Sequence, residues 1–68
     1  MGNVFKKRLK ELRNEKRLSQ EQLATALKTY QANIADWESG KTKPTIESLI
    51  AIADFFDVTT DYLLGREK

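Results

Sequence analysis

Apolar residues recur along this chain at helical spacing, and no segment alternates as a strand would. Phe5, Leu9 and Leu12 stand at i, i+4 and i+7, painting one stripe on a first helix over about residues 4–16, with Asn3 placed to cap it. In "LSQEQL", Ser19 as N-cap and Gln22 three residues later make a capping box, and Leu18 and Leu23 form the hydrophobic staple around it. A second helix over 19–27 follows, with Leu23, Ala24 and Leu27 turned inward. Tyr30, Ile34 and Trp37 repeat the i, i+4, i+7 spacing in a third helix, about 30–38, that Gly40 stops. Pro44 and Thr45 read as a break and a cap before a fourth helix over about 46–56, whose Ile46, Leu49, Ile50, Ala53 and Phe56 are expected inside. Val58, Thr59 and Leu63 repeat the staple and cap of Leu18, Ser19 and Leu23, and Gly65 closes a fifth helix. The expected fold is all-α: five helices in one domain over residues 1–68, with a helix-turn-helix at about 19–38.

Length and composition narrow the chemistry. A domain of 68 residues buries only roughly 60% of the surface its unfolded chain exposes, so its core must be compact. There is no cysteine and no histidine, so disulfides, Cys metal sites and the commonest general base are all missing. An enzyme is not expected, and no cofactor is implied. No apolar run approaches the roughly 20 residues of a membrane span, and Lys6, Lys7 and Arg8 lead into an amphipathic pattern instead of a signal-peptide core. A soluble intracellular protein is the default.

Charge is unevenly spread. Residues 1–18 carry seven basic groups against Glu11 and Glu15, 7 − 2 = +5, whereas residues 45–65 carry Glu47, Asp54, Asp57 and Asp61 with no basic residue, −4. The asymmetry suits a polyanion on one side, although ordinary solvated helix faces read the same way. In the third helix, "KTYQANIADWESG", charge is withheld: Gln31, Ala32, Asn33 and Ala35 take the outward positions in a chain that is 32% charged.

Short amides suit base readout, because Gln or Asn can pair bidentately with adenine N6 and N7 in the major groove. Gln31 and Asn33 lie in the first turn, the part of such a helix that enters the groove, and Ala32 offers a methyl to a thymine methyl. Asp36, one turn on, would repel phosphate unless it accepts from a cytosine N4 or meets a basic neighbour. Gln20 opens the second helix at its anion-favouring end, and Lys41 and Lys43 flank the third-helix stop where they can straddle a phosphate backbone. A neutral surface and solvated loop lysines are the plainer alternatives.

The run "LSQEQLATALKTYQANIADWESGKTKPTIESLIAIADFFDVTTDYLLG" resembles the phage repressor and Cro type of helix-turn-helix domain, the XRE family, over about residues 5–65. The resemblance rests on Ser19-Gln20, Leu23-Ala24, Ile34, Trp37-Glu38, Gly40-Lys41, Pro44 and the closing "DYLLG" in combination. It implies a five-helix domain that binds operator DNA with its third helix in the major groove. Carried over position by position, it makes Gln31, Ala32, Asn33 and Asp36 base-facing, and Gln20, Lys41 and Lys43 phosphate contacts, with Gln20 also buttressing Gln31. It pairs Arg13 with Glu38 as an internal salt bridge. Lys28 replaces the family's turn glycine, and Arg17 stands where glycine or asparagine is frequent. If left-handed, each costs roughly 1 kcal/mol relative to glycine, a cost that phosphate contacts from both would offset. Tyr30 replaces a small N-cap, so the third helix is expected to begin at Thr29. Asp36 is acidic where similar proteins often carry Lys, Arg or Gln.

The functional expectation is a sequence-specific transcriptional regulator, a repressor of bacterial or phage cytoplasm, that binds a two-fold double-stranded operator as a homodimer. Residues 59–65, with Leu63, Leu64 and the exposed part of Phe55, are the expected dimer contact, although core packing explains the same residues. The rival reading is a protein-interaction module, antitoxin-like or an adaptor, whose acidic fourth and fifth helices hold a partner.

Overall fold

The computed structural model describes residues 3–67, with side chains from Val4 onward. Its five helices are α1 (Asn3–Glu15), α2 (Gln20–Leu27), α3 (Gln31–Ser39), α4 (Ile46–Phe56) and α5 (Thr60–Leu64), and among the described residues there is no strand. The side chain of Asn3, the expected cap of α1, lies outside the described part.

Each helix contributes one short apolar stripe to the core. Phe5, Leu9 and Leu12 of α1 meet Leu23 and Ala24 of α2, Ile34 and Trp37 of α3, Ile52, Ala53 and Phe56 of α4 and Leu63 of α5 in a single buried cluster. Leu18, Leu27, Leu49, Val58 and Tyr62 close its edges. The helix-turn-helix pair packs most closely together, α1 lies against α3 and α5, and α4 bridges α2 and α5.

Caps decide where three of the helices begin. Ser19 Oγ accepts from Gln22 N at 3.0 Å while Gln22 Oε1 accepts from Ser19 N at 2.8 Å, so the expected capping box is complete. Thr45 and Thr59 accept from Ser48 N and Tyr62 N, satisfying otherwise unpaired first-turn donors of α4 and α5.

Left-handed residues decide where the chain turns. Arg17, Lys28 and Asp57 all have positive φ, 56°, 58° and 55°. The first two match the sequence expectation; Asp57, which ends α4, was not foreseen. Gly65 is required twice over, since its φ is 71° and an added Cβ would lie 2.8 Å from a Val4 methyl. Arg8 reinforces the same α1–α5 seam, stacked 4.3 Å from the centre of the Tyr62 ring and paired with Glu67.

Three inward expectations fail. Tyr30 is 79% exposed, because it occupies the extended N-cap position of α3 (φ −99°, ψ 146°) and the i, i+4, i+7 geometry holds only inside a helix. The helix accordingly starts at Gln31, not Thr29. Ile46 and Ile50 are 77% and 48% exposed, because α4 buries Ile52, Ala53 and Phe56 with Leu49 half-buried beside them. Those four stand at 49, 52, 53 and 56, and the 46/50 pair falls on the adjoining stripe. Leu63 is fully buried, so the surface expected on residues 59–65 lacks its central leucine.

Candidate nucleic-acid interface

Between α2 and α3 the chain turns in three residues, Lys28, Thr29 and Tyr30. Lys28 takes the left-handed conformation, and Thr29 N reaches back to Ala24 O at 2.9 Å, closing α2 while α3 swings away. Ile34 and Trp37 bury one side of α3, which leaves Gln31 and Ala32 exposed and Asn33, Ala35 and Asp36 half-buried on its flanks. Of the four residues marked for base contact, Gln31 and Ala32 therefore stand on the helix's open side and Asn33 and Asp36 at its half-buried edges.

A chain of hydrogen bonds underlies this surface. Arg13 Nε donates to Glu38 Oε2 at 2.7 Å and Nη2 donates to Oε1 at 3.1 Å, a two-point pair, while Nη1 donates to Leu18 O at 2.7 Å. The Glu38 side chain is only 4% exposed, so these donors take the place of water around it. Gln20 Nε2 adds another at 3.2 Å, and Gln20 Oε1 in turn accepts from Gln31 Nε2 at 2.7 Å. Both the salt bridge and the buttress expected from the resemblance are present, and Glu38 joins them into one network. Composition offered no sign of that junction; only the fold brings Gln20 and Glu38 together.

Asn33 is tethered separately, its Nδ2 donating to Thr29 Oγ1 at 2.8 Å. Asp36 differs: among the described residues its carboxylate meets no cation within ion-pair distance. Arg17, Lys28, Lys41 and Lys43 are all exposed and likewise outside any ion pair among the described residues. Gln20 is half-buried, with one amide N–H left after its bonds to Glu38 and Gln31. Tyr30 is the exposed group that sequence reasoning missed, an aromatic ring directly before Gln31; its missing cap partner was the available signal.

The helix-turn-helix family model matches residues 9–63 of this chain. The chain belongs to the helix-turn-helix family. Two helix-turn-helix relatives are the transcriptional activator BcrR of Enterococcus faecalis, 48% identical over 64 residues, and the transcriptional regulator AnsR of Bacillus subtilis strain 168, 46% identical over 61. The matches cover 94% and 90% of this chain but 31% and 53% of those proteins, so the helix-turn-helix chain spans about half or less of their length. Among solved structures, the P22 c2 repressor bound to a synthetic operator superposes with a TM-score of 0.87 at 25% identity, covering 94% of this chain and 97% of that one. The likeness to phage repressors read from "LSQEQL" through "DYLLG" is thus also a likeness of fold. Among the described residues, no helix is long and apolar enough to cross a membrane.

Proposed function

We propose that this helix-turn-helix chain is a sequence-specific regulator of transcription that reads a double-stranded operator with α3 in the major groove. One observation carries the reading: the open side of α3 presents small neutral groups whose leading amide, Gln31, is exposed and yet hydrogen-bonded to Gln20 at 2.7 Å. An amide fixed beside its helix N-terminus has lost its rotamer freedom before DNA arrives, so pairing with a base costs less entropy.

In this reading Gln31, Ala32, Asn33 and Asp36 face base edges. Gln20, Lys28, Lys41, Lys43 and Arg17 hold phosphates, which sets register without reading sequence. Arg13 and Glu38 do not touch DNA. The unpaired Asp36 carboxylate disfavours any step where it meets only acceptors, and cytosine N4 is the donor that suits it. The protein acts by occupying a promoter and not by catalysis, as a homodimer on half-sites about one helical turn apart, in a bacterial or phage cytoplasm. The P22 c2 repressor's fold supports repression; the activator BcrR shows that a relative carries the opposite sign.

Selection of binding sites from random DNA tests this directly. The expected result is an inverted-repeat consensus whose binding weakens with salt, log K falling about 0.9 per phosphate contacted per log unit. Absence of any enriched sequence at moderate salt would overturn it.

A second reading rests on α4. Ile46 and Ile50 are exposed beside Glu47 and Asp54, which form no ion pair among the described residues, and a protein partner with complementary basic and apolar groups would cover them. Binding that is insensitive to DNA sequence and lost in an Ile46→Ser, Ile50→Ser double variant would favour this role.

A further inference from the structure

We propose that Glu38, which touches no DNA, sets the base preference of Gln31 by fixing the polarity of the hydrogen-bond chain between them. The inference rests on the operator-reading function proposed above and assigns a positioning role within it.

The chain has only one consistent direction. Arg13 donates to both Glu38 oxygens in a two-point pair, and a carboxylate can only accept. Gln20 must therefore turn its NH₂ toward Glu38, at 3.2 Å, which leaves its oxygen facing Gln31. Gln31 must then donate, at 2.7 Å, and its remaining groups, Oε1 and one N–H, face outward. That pair, one acceptor beside one donor, matches adenine N6 and N7 and mismatches guanine, whose N7 and O6 both accept. An amide free to flip would present either edge; this one cannot without orphaning a hydrogen bond at a carboxylate that is 4% exposed. Asn33 provides an internal contrast. Its partner is the Thr29 hydroxyl, which donates or accepts equally, so Asn33 can flip and its base step is the more tolerant of the two.

Glu38→Gln reverses the direction. Arg13 has only donors, so the new amide keeps the shorter, 2.7 Å bond from Nε by placing its oxygen at the Oε2 position. Its NH₂ then takes the Oε1 position, gives up the 3.1 Å bond from Nη2 and faces Gln20. Gln20 then turns its own NH₂ to Gln31, Gln31 accepts, and its NH₂ points into the groove toward guanine N7 and O6. Gln20→Leu cuts the chain while leaving the Arg13–Glu38 pair intact, so it serves as the second variant should Glu38→Gln fold poorly.

The test uses the duplex selected by the wild-type chain, with adenine or guanine at the step where Gln31→Ala abolishes preference. Wild type is expected to favour adenine by about 10-fold or more. Gln20→Leu should bring the ratio near one, and Glu38→Gln should move it to or past one toward guanine. A purely structural role would weaken both duplexes equally. An unchanged adenine-to-guanine ratio in both variants, or a wild type without preference for adenine there, overturns the relay while leaving DNA binding standing. A wild type that enriches no sequence removes both.

Discussion

The outer faces of α3 and α4 are both poor in paired charge, and they differ in what holds their side chains. On α3, Gln31 is tied through Gln20 and Glu38 to Arg13, and Asn33 is tied to Thr29. On α4, the exposed Ile46 and Ile50 and their neighbours Glu47 and Asp54 have no such side-chain tethers among the described residues. A helix can show uncharged groups to the outside for two unrelated reasons: to present groups ordered in advance, or because a second apolar stripe is left over once the core is full. Hydrogen bonding separates the cases, and hydropathy does not.

The largest test of that contrast lies within α4. Ile52→Ala should destabilise the fold by about 2–4 kcal/mol, since Ile52 is fully buried, whereas Ile50→Ala on the exposed stripe should change stability by under about 1 kcal/mol. Urea unfolding of the two variants measures both. Equal losses would mean that the 46/50 stripe is packed after all, and the contrast with α3 would collapse.

A smaller effect compares the turn that leads into α3 with the one that leaves α4. Lys28 and Asp57 share nearly the same left-handed backbone, φ 58° and 55°, so replacing either by glycine should raise stability by roughly 1 kcal/mol, seen as a higher melting temperature. Only Lys28→Gly should also weaken DNA binding, and by the same factor for every sequence. Equal binding by both variants would remove Lys28 from the interface. The mildest change is expected from Lys41→Gln beyond the end of α3: a salt slope reduced by about 0.9, with base preference untouched. A changed consensus instead would place Lys41 on a base edge.

Most of the fold was legible in the residues, because caps and stripes act locally. Ser19 with Gln22, and Thr45 and Thr59, began helices where expected, since a hydroxyl within reach of a first-turn N–H needs no tertiary help. Tyr30 was misplaced because it falls outside the helix whose spacing it fits, and Ile46 and Ile50 because spacing lists which residues can share a face while the neighbouring helices decide which face is covered. Around α3 the two hydrogen-bonded pairs were legible and the wiring between them was not. Arg13–Glu38 and Gln20–Gln31 came through resemblance as two separate pairs, and the Gln20–Glu38 bond that joins them spans 18 residues and two helices.

The seam between α1 and α5 has a practical corollary. With Gly65 against Val4 and Glu67 paired to Arg8, both ends of the described chain lie at the same place, and the peptide bonds leading from one helix to the next are not what keeps α1 beside α5. A few flexible residues joining 67 to 4 would let the chain be reopened in one of its other loops as a circular permutant, with α5 running directly into α1 and the turn at 28–30 uncut.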